Sequence, residues 1–281
     1  MQAVEKTHQQ LMQLRHLLRE MGSVLVCYSG GIDSALVLAV AHQELGPERA
    51  IGMTALSPSL AEAERDAASQ SAHTLGATHR LVDSHEIMRP DYAKNGPDRC
   101  FHCKTELYEI AVQKAKEWQL GYIVNGTNLD DWGDYRPGLQ AAQNAQVRSP
   151  LCEAELRKDD VRAIARLLGL SNWDKPASAC LASRIPYGTA VTFARLRQVE
   201  QLEEALRKLG FRQVRVRHHE EIARIEVPTN DIARLVTAEM SVCVDRAGRD
   251  AGYRFVTVDL RGYRTGSLNE ALPSRSLPVI A

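Results

Sequence analysis

The stretch "SVLVCYSGGIDSALVLAV", residues 23–40, constrains the fold of this chain more than any other. The apolar run Val24 to Tyr28 is too short for a helix and reads as a strand buried on both faces. It stops at Gly30 and Gly31, and an apolar helix follows. A buried strand that passes to a helix through two glycines is the unit of a parallel sheet with crossover helices.

The same rhythm continues downstream. "AIGMTAL" (50–56) reads as a second strand, 59–76 as a helix and "THRLVDS" (78–84) as a third strand. Residues 103–119 read as a helix, "GYIVNGTNLDD" as a strand closing in a polar loop, and 158–168 as another helix. The tail has a different texture. A long charged helix (191–210) precedes two alternating strands within "FRQVRVRHHEEIARIEVP", a short helix and a last strand in "GYRFVTVDLRGYRTG". The expected fold is α/β: a parallel-sheet nucleotide-binding domain over 1–184 and a smaller α+β domain over 185–281, serving substrate binding or oligomerisation. Cys27 and Cys243, each beside valines, are expected in the core, and His218 and His219 on the surface.

Lys plus Arg equal Asp plus Glu at 35 each. That balance argues against a wholly basic nucleic-acid surface. No apolar run approaches the roughly 20 residues that span a bilayer, and the first 22 residues are periodic and polar, without a secretory core. The expected compartment is the cytoplasm, where a structural disulfide is disfavoured.

"SGGIDS", Ser29 to Ser34, places glycines where a ligand approaches backbone, and opens a helix whose free N–H groups suit phosphate. It lacks the lysine of a Walker loop and the glycine spacing of a dinucleotide fingerprint. An ordinary glycine turn is the bland alternative. "NGTNLDD" reads by itself as a polar turn at the end of a strand. "DRCFHCKTELY" holds Cys100 and Cys103, a pair open to metal binding, thiol chemistry or packing. Zinc with His102 is one version, although His102 sits awkwardly between the thiols; a redox CxxC at a helix start is another. Cys180 in "KPASACLASRIPYG" has small neighbours, and Arg184 nearby favours thiolate; burial in a core is the alternative. In "RQVRVRHHEE", Arg215 and Arg217 share a strand face and form a paired phosphate grip or a solvated basic edge.

"SGGIDS" after a buried strand resembles the pyrophosphate loop of the PP-loop ATP pyrophosphatases, which cleave ATP between its α and β phosphates. "DRCFHCKTELY", "NGTNLDD", "RSPL" and "PASACLASRIPYG" together resemble the LarE family of ATP-dependent sacrificial sulfur transferases, over nearly the whole chain. The resemblance implies that Ser29, Gly30, Gly31, Asp33 and Ser34 surround pyrophosphate, that Asp33 helps hold Mg²⁺, that Thr54, Gly126 and Thr127 line the nucleotide, and that Asp130 helps position metal or substrate. It implies a substrate, pyridinium-3,5-biscarboxylic acid mononucleotide, whose carboxylates become thiocarboxylates for the nickel-pincer cofactor of lactate racemase. Arg215 and Arg217 are implied to take the substrate phosphate, with Ser183 and Arg184 near the chemistry. Cys180 matches the donor that one branch of the family sacrifices. A second branch carries three cysteines on a [4Fe–4S] cluster, and Cys100, Cys103 and Cys180 match that trio. Homo-oligomers are common in the family. The rivals are a PP-loop tRNA sulfur transferase, which calls for a basic groove, an ammonia-fed ligase, which leaves the cysteines unexplained, and a nucleotide sensor, which has no use for a pyrophosphate loop.

Overall fold

The computed structural model describes residues 2–133, 137–175, 179–264 and 266–271. The chain divides into two compact units: Met1–Glu86 with Cys100–Ser178, and Ile87–Arg99 with Ala179–Ala281. Residues 87–99 thus leave the stretch read as the first domain and pack with the C-terminal part.

In the first unit, strands β1 (Val24–Cys27), β2 (Ala50–Leu56), β3 (Thr78–Asp83) and β4 (Tyr122–Val124) form a parallel sheet in the order β3-β2-β1-β4. The helices of this unit are α1 (Gln2–Met21), α2 (Ile32–Leu45), α3 (Glu62–Thr74), α5 (Arg99–Glu117, whose first residue belongs to the second unit), α6 (Pro137–Asn144), α7 (Pro150–Glu153) and α8 (Lys158–Leu167). Helix α4 (Pro90–Ala93) lies in the segment that packs with the second unit. β1 is buried along its whole length, and α2 is buried on nearly every side, from Ile32 to Leu45. That explains the absence of polar alternation in both. One core joins α1, α2 and α8, through residues such as Leu14, Leu36 and Ile164; another joins β1 and β2 to α5, through Leu25, Met53 and Tyr108. From β1 the chain order runs outward to β2 and β3 on one side, while β4 lies on the other. The loops after β1 and β4 therefore flank a topological switch point, where open parallel sheets bind ligands.

The second unit adds α9 (Phe193–Lys208), α10 (Thr229–Leu235), α11 (Ala238–Asp250) and a sheet β5-β6-β7 (Arg215–His219, Ile222–Glu226, Phe255–Val258). β5 and β6 are antiparallel, β6 and β7 parallel.

Three local expectations change. Helix α5 begins at Arg99, so both Cys100 and Cys103 lie at its start. "SVCVD" belongs to α11, and Cys243 is exposed there; valines two apart mimicked strand alternation. His218 is buried at 2% exposure against Tyr253, while His219 is exposed.

Candidate active site

The loop after β1 is held by its own serines. The Ser34 hydroxyl donates to the Gly31 carbonyl (3.1 Å) and accepts the Ser29 N–H (3.1 Å). Its single proton is then committed, so Ser29 Oγ donates to Ser34 Oγ (3.1 Å) while accepting the Gly31 N–H (3.3 Å). The first intrahelical bond of α2 runs from Ala35 to Gly31, which leaves the amides of residues 32–34 directed past the helix start. Gly30 has φ of +71°, and a Cβ there would lie 2.6 Å from the Ala68 Cβ. Gly126, after β4, is equally forced: a Cβ would lie 2.6 Å from the Ser34 nitrogen. The two loops close on each other backbone to backbone.

Asp33 sits between them. Asn128 donates to its Oδ1 (3.1 Å), and Lys158, at the start of α8, pairs with its Oδ2. Asp130 places that lysine: it accepts the Lys158 backbone N–H (2.8 Å) and the Arg157 guanidinium (2.9 Å). The Lys158 backbone amide, ahead of Arg157, holds the Asp130 carboxyl below the usual carboxylate range. Thr127 donates its N–H to Asn125 Oδ1 (3.0 Å), and its carbonyl accepts the Cys152 thiol (3.2 Å). Thr54 is buried, with its hydroxyl donating to the Tyr28 carbonyl (2.6 Å) and meeting His79 Nε2 (2.8 Å). The fold thus gathers Ser29, Gly30, Gly31, Asp33, Ser34, Gly126, Thr127 and Asp130 into one site, while Thr54 locks β2 to β1 and β3.

Sequence reasoning missed Lys158 and Asn128. The signal for Lys158 was a phosphate loop without a lysine of its own, which asks for a cation from elsewhere.

Cys100 (exposed) and Cys103 lie three apart on α5, hence on one face of its start. Lys104 follows. Desolvation opposes its charge, but Tyr108, Cys103, Cys27 and Cys100 around it outweigh that, and its pKa is raised. Cys27 is a core thiol, pushed up to about 12 by burial despite Lys104 nearby. None of the six cysteines is in a disulfide.

In the second unit Cys180 is exposed and caps a short 3₁₀ turn, Leu181–Arg184. Pro176–Ser178, the small neighbours before it, lie outside the described residues. Arg184 is 2% exposed. Its Nη1 donates to the carbonyls of Ala179 (2.6 Å) and Cys180 (2.9 Å) and to Ser183 Oγ (3.0 Å); its Nε and Nη2 grip Glu203 at 2.8 and 3.1 Å. Glu203 is fully buried and also accepts Arg207 (2.7 Å) and the Val216 N–H (3.1 Å). Arg217 donates to the Ser183 carbonyl (2.8 Å), Glu226 (2.7 Å) and Ser267 (2.7 Å). Arg184 and Arg217 therefore build the turn that presents Cys180. Arg215 is half-buried on the same strand face, and burial, with Arg184 and Arg217 adding to it, lowers its pKa. Glu203 and Tyr263 oppose that shift; the Arg215 guanidinium lies 5.5 Å from the centre of the Tyr263 ring, and its Nη1 donates to the Val214 carbonyl (2.9 Å).

A family model of NAD synthase matches residues 7–106, the part that carries the loop. The pyridinium-3,5-bisthiocarboxylic acid mononucleotide synthase of Lactiplantibacillus plantarum is 39% identical over 94% of this chain and 95% of its own length. The chain belongs to the LarE family of PP-loop enzymes. An uncharacterised Synechocystis protein is also similar, 42% identical over 93% of this chain and 97% of that one. So is one component of the glutamine-hydrolysing GMP synthase of Archaeoglobus fulgidus, 27% identical over 53% of this chain and 52% of that component. Among the described residues no helix is long and apolar enough to cross a membrane.

Proposed function

We propose that this LarE-family sulfur transferase adenylates a carboxylate of pyridinium-3,5-biscarboxylic acid mononucleotide with ATP and replaces the adenylate with sulfur, on the way to the nickel-pincer cofactor of lactate racemase. The observation that carries the reading is the pairing, in one chain, of a preformed pyrophosphate loop with an exposed cysteine on an arginine-held turn. The likeness to the L. plantarum synthase supports the substrate.

The substrate carboxylate attacks the α-phosphorus of ATP, and pyrophosphate leaves toward the amides of residues 32–34. Lys158 supplies the cation that the loop lacks. Mg²⁺ fits Asp33, a carboxylate already matched to a cation, and with phosphate oxygens it would neutralise charge on the leaving group. Asn128 keeps the carboxylate oriented. The acyl adenylate is then electrophilic, having lost the anionic oxygen that deactivated it. Sulfur attacks its carbonyl carbon and AMP departs. Where Cys180 is the donor, the thioester breaks at Cβ–S: a base removes the Cα proton, the sulfur keeps the bond pair as thiocarboxylate, and the residue becomes dehydroalanine. Arg215 takes the substrate phosphate: Arg217 is already paired with Glu226 and bonded to Ser183 and Ser267, whereas Arg215 is bonded to the Val214 carbonyl and stacked on Tyr263.

Cys100 and Cys103 support the cluster branch as far as a same-face thiol pair beside a lysine can. Among the described residues no three His, Cys, Asp or Glu side chains form a metal-binding group, and Cys180 belongs to the other unit. A [4Fe–4S] cluster, when bound, would supply sulfide from outside and spare Cys180.

Cys180→Ala tests the scheme. It is expected to release pyrophosphate from ATP in the presence of the biscarboxylate nucleotide and to form no thiocarboxylate. Thiocarboxylate at the wild-type rate would overturn the reading. Anaerobic purification distinguishes the sulfur sources: about four irons per chain mark the cluster branch, and a wild-type chain lighter by one H₂S after turnover marks sacrifice.

A further inference from the structure

The peptide that leads into the CxxC helix is tied to the turn that carries Cys180. Asn95 is fully buried and left-handed, with φ of +60°, a conformation asparagine tolerates better than most residues. Its amide nitrogen reaches the carbonyls of Ile185 (3.2 Å), Pro186 (2.8 Å) and Thr189 (2.8 Å), and its own carbonyl accepts the Gly188 N–H (3.0 Å). Its side-chain oxygen accepts Arg99 Nη1 at 2.6 Å. The same Nη1 donates to the Ala182 carbonyl at 2.9 Å, two residues beyond Cys180. Arg99 is 3% exposed. Its guanidinium also lies 5.8 Å from the centre of the Tyr187 ring, so this buried side chain, one residue before Cys100, is held on several sides.

With Arg99 counted, three buried arginines hold consecutive parts of the donor turn: Arg184 at Ala179 and Cys180, Arg99 at Ala182, Arg217 at Ser183. We propose that Arg99 is a positioning residue for sulfur transfer: seated on Asn95, it fixes the Ala182 carbonyl and so ties the Cys180 turn to the peptide that immediately precedes Cys100. The inference rests on the sulfur-transfer reading for its consequence and stands on this geometry for the brace itself. Arg99 belongs to neither the pyrophosphate loop nor the Asp33–Lys158 pair, so its loss separates the two half-reactions.

The test uses the full chain with Arg99→Lys and Arg99→Met. Lysine keeps the charge and offers a point donor in place of the planar fork. Both variants are expected to release pyrophosphate at the wild-type rate. Thiocarboxylate formation is expected to fall about 10-fold or more in R99M and less in R99K, as misplacement of a reacting group commonly costs. Hydrogen exchange at the amides of Ser183 and Ile185, which bond to Cys180 and Ala182, is expected to speed up in both variants. A folded R99M or R99K with wild-type exchange at those amides overturns the brace. Faster exchange with an unchanged ratio of thiocarboxylate to pyrophosphate overturns its role in transfer. If R99M does not fold, R99K decides both points. If the wild type forms no thiocarboxylate, the proposed function fails, while the exchange measurement still judges the brace.

Discussion

The glycine loop after β1 and the Cys180 turn are surrounded by charge handled in opposite ways. Around the glycine loop, Asp33, Lys158 and Asp130 are partly exposed, at 22%, 30% and 42% of their side chains, and are held by hydrogen bonds and ion pairs among themselves and with Asn128 and Arg157. Around Cys180, Arg184, Arg217, Glu203 and Glu226 are buried at 8% or less and fixed by several bonds each. Exposed pairs are weak and exchange easily; buried pairs are costly to break. The first arrangement suits a site that must trade its internal partners for phosphate and metal. The second suits a scaffold that holds one thiol in place.

That contrast can be broken most sharply at Glu203. Glu203→Ala strands Arg184, Arg207 and the Val216 N–H, and is expected to cost about 3–5 kcal/mol, the usual loss when a buried pair loses one partner. Chemical denaturation measures it, and a loss below about 1 kcal/mol, the range of an exposed pair, would erase the distinction. Asp33→Asn comes next. It is expected to lower pyrophosphate release about 100-fold with little change in stability, because in the proposed reaction the carboxylate works on charge that develops on the phosphates. Lys158→Met is expected to slow the same step about 10-fold, the scale of one charge-assisted hydrogen bond, and to leave the melting temperature within error. A large drop in melting would mean that the Asp33–Lys158 pair is structural after all.

The smallest effect concerns pH. His218 is buried, and desolvation, then the nearby Arg195, lowers its pKa, with His219 acting in the same direction and Glu220 opposing. The folded state therefore binds fewer protons than the unfolded one, and stability falls as pH drops below the unfolded histidine value near about 6.5. His218→Gln is expected to reduce the fall in melting temperature between about pH 6.5 and 5, with His219 and His79, also lowered by burial, carrying the rest. An unchanged slope would assign the loss to other groups.

Much of the first unit was legible because its signals are local. A short apolar run, two glycines and an apolar helix are neighbours in sequence, and they fix β1, the loop and α2 together. The strand carrying Arg215 and Arg217 was legible for the same reason. What stayed hidden is long-range. Lys158 reaches Asp33 across 125 residues, and Arg99 reaches Ala182 across 83; no spacing rule encodes either. Arg184, read as a group that tunes the thiol, is bonded to Glu203 and two carbonyls, and only the fold reveals that partner. Period also misled at 241–245, where two valines flank Cys243 on a helix.

Gly126 has a consequence of another kind. The Ser34 nitrogen leaves no space for even a methyl group at that position, and the obstacle is backbone, which cannot rotate away. Two loops far apart in sequence are therefore machined to a common tolerance. Neither can be resized alone: an engineer who wants a wider nucleotide cleft must recut both at once, whereas the exposed charges around them can be exchanged one by one.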